Sequence, residues 1–155
     1  MRLERDRLLE CLRVERWADA LAGKNFQTAD ALVAAGIDAA TPLSEAEVDE
    51  ALAAHPRIGD RAEGEGAEAA FSRAEQSASQ DPDEQLEARL REGNAAYEAR
   101  FGRVFLIRAA GRDRREILEE LDRRLMNDPG VETDEVAEQL RQIAALRLKQ
   151  VGEDA

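Results

Sequence analysis

The chain has 155 residues and a single cysteine, Cys11. No internal disulfide can form and no thiolate cluster can hold zinc, so a reducing compartment, the cytoplasm, is the expected setting. Long apolar runs are also missing. Nowhere do ~18 apolar residues follow one another, so no membrane span is expected. The opening MRLERDRLLECLRVERW carries charges every few residues where a secretory signal would be apolar. The closing GEDA matches no retention or peroxisomal address. Basic residues are in deficit, with 22 Lys and Arg against 34 Asp and Glu and a formal charge of −12. That balance opposes binding to a phosphate backbone and excludes nucleic acid as an expected partner. It would also repel a small anion, so a site for one needs a local arginine. There is no phosphate loop, dinucleotide fingerprint, His-Glu-x-x-His or usable Cys–His pair, which leaves metal hydrolysis and acyl transfer without support.

What remains is 43% hydrophobic and 36% charged, the composition of a folded domain with an ionic surface. Its length suits one domain over residues 1–155. Leu8, Leu9, Leu12, Trp17, Ala20 and Leu21 recur at helical spacing and predict one amphipathic helix that stops at Gly23. A second is expected over Phe26 to Ala35 with Gly36 as its left-handed cap. Ser44 and Glu47 form a capping box for a helix from Glu45 to about Ala54, which His55-Pro56 closes. A polar, glycine-rich connector at 59–66 precedes an Ala/Glu-rich helix from Ala67 to about Ser79. Asp81-Pro82-Asp83 starts another, through Leu86, Leu90 and Tyr97 to Gly102. Residues 104–111, VFLIRAAG, are apolar and read as irregular, since no second strand is available to pair them. Arg112 to Met126 carries Ile117, Leu118, Leu121 and Leu125 on one stripe and ends at Asn127-Asp128-Pro129-Gly130. Thr133 is expected to cap a last helix to about Val151, with Val136, Leu140, Ile143 and Leu146 to Leu148 on its apolar face. The expected fold is all-α, a compact single domain of about six to eight helices with a short irregular apolar segment near 103–110.

His55 is the only histidine and the only side chain whose ordinary pKa lies near neutrality. It is suited to proton transfer, and Pro56 would hold its backbone, although a lone histidine also serves as a helix-end residue and residue type alone favours that reading. Ser72, Glu75 and Gln76 share a helical face and make a compact polar cluster, although a solvated helix face is the plainer reading unless the cluster lies near His55. Arg147, between Leu146 and Leu148, can fork two hydrogen bonds to a carboxylate, although a snorkelling surface arginine is the plainer account. The stretch GRDRREILEELDRR mixes both charges and reads as a solvated face. Two other readings stand beside these. One is an acidic helical module that binds a partner protein. The other, a helical metalloprotein, is disfavoured because Leu52 occupies the position three before His55, where a bundle site would place a carboxylate.

Taken together, Cys-x5-Trp-Ala-x2-Leu near the start, HPRIGD at 55–60, SRAEQ at 72–76, FGRVFLI at 101–107 and LRL at 146–148 resemble the 2-oxo-4-hydroxy-4-carboxy-5-ureidoimidazoline (OHCU) decarboxylases. The resemblance runs from about Leu8 to Leu148. It implies an all-α enzyme of urate degradation, a homodimer in many members, that converts its anionic substrate to (S)-allantoin and CO2 with no cofactor and no metal. By the same resemblance His55 is the catalytic histidine and Glu75 its partner. Pro56 contacts substrate, and Ser72, Arg73, Ala74, Glu75 and Gln76 form one binding segment. Phe105, Leu106, Ile107, Arg108 and Ala109 form a second, and Arg147 reaches the substrate. Arg57, Asp60 and Lys24-Asn25-Phe26 depart from the commoner family residues, which bears on specificity more than on the reaction.

Overall fold

The computed structural model describes residues 1–55 and 84–154. Among the described residues the chain forms seven helices and no strand, and one isolated bridge pairs Arg2 with Asn25. The all-α expectation is met there. By its contacts the chain divides into two units, residues 1–54 with 137–155, and residues 55–136.

The first unit opens with α1 (Arg5–Cys11) and α2 (Glu15–Leu21), where one continuous helix is expected. The break has a packing reason. Leu12 and Val14 are extended, with φ −152° and −129°, and both are fully buried. Residues two apart point to the same side of an extended strand but to nearly opposite sides of a helix, so only the break sends both inward. Arg5 braces the corner through Asp19 (2.7 Å) and Glu15 (3.1 Å). Helix α3 (Ala29–Ala39) is capped by Thr28, whose hydroxyl accepts from the Ala31 amide at 3.0 Å.

Gly36, expected to cap that helix, lies inside it. The Trp17 indole donates to the Gly36 carbonyl at 2.8 Å, and a β-carbon there would lie 2.4 Å from Leu148 Cδ1. The glycine serves close approach, not a left-handed turn. Helix α4 (Glu45–Leu52) begins with the expected capping box: Ser44 Oγ accepts from the Glu47 amide (3.1 Å) and the Ser44 amide donates to Glu47 Oε1 (2.9 Å). It buries Val48, Ala51 and Leu52 and stops two residues before Ala54.

In the second unit α5 (Glu84–Phe101) buries Leu86, Leu90, Asn94 and Tyr97, and Gly102 ends it with φ +69°. The connector at 59–66, the helix expected over 67–79 and the Asp81-Pro82-Asp83 start lie outside the described residues. Residues 104–109 are irregular, as expected. Helix α6 (Arg114–Arg124) is capped by Asp113, which accepts from the Glu116 amide at 2.8 Å. Its Ile117, Leu118 and Leu121 join Leu86, Leu90, Tyr97, Phe105, Ile107 and Ala109 in the core of this unit.

The last helix, α7, runs Pro129–Asp154, so Pro129 and Gly130 begin an element instead of only ending one. Proline suits a first helical turn because its missing N–H has no partner there. Thr133 is consequently an interior residue and not the cap; its hydroxyl donates back to the Pro129 carbonyl at 3.0 Å. Val136, Leu140, Ile143 and Leu148 are buried as expected, but Leu146 is 43% exposed. Among the described residues no helix is long and apolar enough to cross a membrane.

Candidate active site

Helix α4 ends at Leu52, and two turn residues carry the chain to His55, which is half-buried and belongs to no helix. The Ala54 amide still donates to the Ala51 carbonyl at 3.2 Å, so the chain is tied down to within one residue of the imidazole. That is the boundary position expected from His55-Pro56. Pro56 and the segment Ser72, Arg73, Ala74, Glu75 and Gln76 lie outside the described residues.

Arg147 is only 1% exposed, which excludes a snorkelling surface arginine. Its guanidinium reaches towards the Glu10 carbonyl at 3.4 Å. Burying a guanidinium costs several kcal/mol unless partners compensate, so this placement needs hydrogen-bond acceptors or an anion around it.

The second expected binding segment is described in full. Phe105, Leu106, Ile107 and Ala109 are all buried, so these side chains pack into the interior. Among the described residues no backbone carbonyl accepts from the amides of Phe105, Leu106 and Ile107. Arg108 is half-buried and its guanidinium donates to the Ala110 carbonyl. Arg112 Nε donates to the Arg108 carbonyl at 3.0 Å, and Gly111 supplies φ +81° to close the turn. Burial holds the Arg108 guanidinium below its ordinary pKa, and the Arg112 charge adds to the effect. Arg108 and Arg112 thus place two positive charges on one short turn.

Beneath that segment lies a buried polar group that the sequence reading missed. Arg124 and Glu132 are each 1% exposed at the side chain and pair at 2.6 Å. Arg124 Nε bonds the same carboxylate at 3.1 and 3.0 Å, and Nη1 donates to the Leu106 carbonyl at 2.7 Å. The guanidinium stands 4.6 Å from the centre of the Phe105 ring. Glu132 also accepts from the Tyr97 hydroxyl and from Asn127 Nδ2 at 3.1 Å. Burial, followed by the bond to Glu132, pushes the Tyr97 hydroxyl well above its ordinary pKa, so it remains a neutral donor. The solvated-face reading of GRDRREILEELDRR is therefore wrong for Arg114 and Arg124, both buried. The signal was present: positions 114, 117, 121 and 124 follow the three- and four-residue spacing of one stripe.

Among the described residues no three His, Cys, Asp or Glu side chains gather as a metal site would. A model of the OHCU decarboxylase family matches residues 4–149. Comparison with curated proteins finds no match. Among solved structures, an OHCU decarboxylase determined in the presence of (S)-allantoin is 26% identical with a TM-score of 0.79, over 96% of this chain and 99% of that one. An (S)-allantoin synthase is 21% identical with a TM-score of 0.68, over 93% of this chain and 48% of that one, a likeness of fold.

Proposed function

The chain belongs to the OHCU decarboxylase family, decarboxylases of urate degradation, and from that premise we propose that it converts OHCU to (S)-allantoin and CO2 without a cofactor. The family match over residues 4–149 carries this reading; because it runs through both contact units, it also supports one family domain.

In the proposed reaction the bond between the carboxylate carbon and the ring carbon breaks, and its electron pair moves into the ring imine. The substrate supplies its own electron sink, which is why neither metal nor pyridoxal is needed. The enol so formed is then protonated from one side at the neighbouring, ureido-bearing carbon while its hydroxyl proton leaves and the former carboxyl-bearing carbon becomes the ring carbonyl, which gives a single enantiomer. His55, next to Pro56, handles the proton, as suits an imidazole, the side chain whose ordinary pKa lies near neutrality, at a boundary position. Glu75 and Gln76, within Ser72 to Gln76, hold the ureido and ring amides. Backbone amides of Phe105, Leu106 and Ile107 donate to substrate oxygens, with Arg108 and Ala109 closing that segment, and Arg147 meets the carboxylate. A homodimer in the cytoplasm is the expected working form.

The test is circular dichroism of a mixture of protein and freshly generated OHCU. Enzyme-dependent growth of the (S)-allantoin signal is expected, and His55→Gln should abolish it. An unchanged rate in that variant removes His55 from the mechanism. A wild-type chain that adds nothing to spontaneous decay would leave the non-catalytic acidic helical module as the better account.

A further inference from the structure

We propose that Arg124, braced by Glu132 and Tyr97, is a positioning residue that sets the direction of the substrate-binding backbone at Leu106 and Ile107. The inference rests on the reading of residues 105–109 as a binding segment. That segment is irregular, so no helix or strand ladder dictates where its peptide groups point. Something else must, because a donor serves a ligand only when its direction is settled before binding.

Arg124 is placed to do this. Its planar fork acts in two directions at once: Nε and Nη2 engage the Glu132 carboxylate, with Nη2 at 2.6 Å, while Nη1 holds the Leu106 carbonyl at 2.7 Å. In a trans peptide the C=O and the following N–H point in opposite directions. Holding the Leu106 carbonyl towards Arg124 therefore turns the Ile107 N–H away from it, and among the described residues no backbone carbonyl accepts from that amide. The Phe105 ring, 4.6 Å from the guanidinium and 5.2 Å from the Tyr97 ring, fixes the preceding residue edge-on. Tyr97 and Asn127 occupy further lone pairs of the Glu132 carboxylate, which leaves the carboxylate little freedom to rotate and carry the guanidinium with it. A buried ion pair is a weak device for stability alone, since desolvation offsets much of the attraction. Here it holds a main-chain carbonyl.

Two variants test this in the circular dichroism assay. Arg124→Lys keeps the charge but cannot fork to Glu132 and Leu106 together; KM should rise about tenfold, the loss of one well-placed hydrogen bond, with kcat within about threefold of wild type. Tyr97→Phe keeps the ring contacts and removes only the hydroxyl, so it stays folded and should raise KM about two- to threefold. Mere destabilisation would lower the active fraction, and so the apparent kcat, and leave KM alone. A wild-type enzyme that turns over while both variants keep its KM overturns the positioning role and leaves the proposed activity standing. Should Arg124→Lys not fold, the KM of Tyr97→Phe decides. A wild-type chain without turnover removes the binding segment, and this role with it.

Discussion

Gly36 shows how much one missing β-carbon can mean. Alanine is favoured over glycine inside a helix by about 1 kcal/mol, yet at position 36 its β-carbon would meet Leu148 Cδ1 at 2.4 Å and Trp17 Cζ2 at 3.5 Å. Leu148 is fully buried, so its methyl group has no solvent to move into, and overpacking of this kind costs about 1–3 kcal/mol. Gly36→Ala is expected to lose about 1 kcal/mol net in urea denaturation. Gly130→Ala, in the first turn of α7 with nothing within 4 Å, should gain about 0.5 kcal/mol. Equal gains at both positions would show that the core around Trp17 yields. The letter G near a helix end reads the same whether the chain needs a left-handed turn or a close approach, which is why Gly36 reads from sequence as a cap. His55 was easier: one imidazole before a proline is conspicuous, and the structure puts it at the expected boundary.

Elements whose ends are written into local chemistry were legible, and those decided by distant partners were not. The Ser44–Glu47 box and the stop at Gly102 depend on neighbours in sequence, as does the Asp113 cap, although α6 starts two residues after the expected Arg112. The break at Leu12–Val14 and the burial of Arg124 depend on what the rest of the chain packs against them, and no periodicity records that. Helix α4 also carries a pH dependence of definite sign. The Arg16 guanidinium, first, and the Ser44 amide hold the Glu47 carboxyl below its ordinary value, while burial opposes them. A carboxylate depressed in the folded state contributes stability that is fully present above its unfolded pKa of roughly 4.3. That contribution is lost as pH falls through the lower, folded value. Glu47→Gln keeps an acceptor for the cap but cannot titrate. Its melting temperature should lie below wild type at pH 7, and the gap should close as pH drops below about 4. A gap that persists at pH 2.5 would mean that shape, not charge, is what Glu47 contributes.

At the scale of the whole molecule, the formal charge of −12 and a carboxylate substrate are in conflict. At ~0.01 M salt the screening length is about 30 Å, and the summed negative field reaches well beyond the surface to oppose an approaching anion. At ~0.15 M it shrinks to about 8 Å, and most of that repulsion is lost. In the proposed reaction, attraction from the buried Arg147 guanidinium and from the half-buried Arg108 is screened far less by added salt. Salt should therefore remove the obstacle and spare the attraction. For the proposed reaction, kcat/KM is expected to rise on the order of threefold between ~0.01 and ~0.15 M salt, mostly through KM. Most enzymes that steer an anion by a positive surface show the opposite slope. A fall in kcat/KM over the same range would mean that the field at the mouth of the site is positive despite the overall charge, and that Arg108 and Arg112 act at long range instead of on contact.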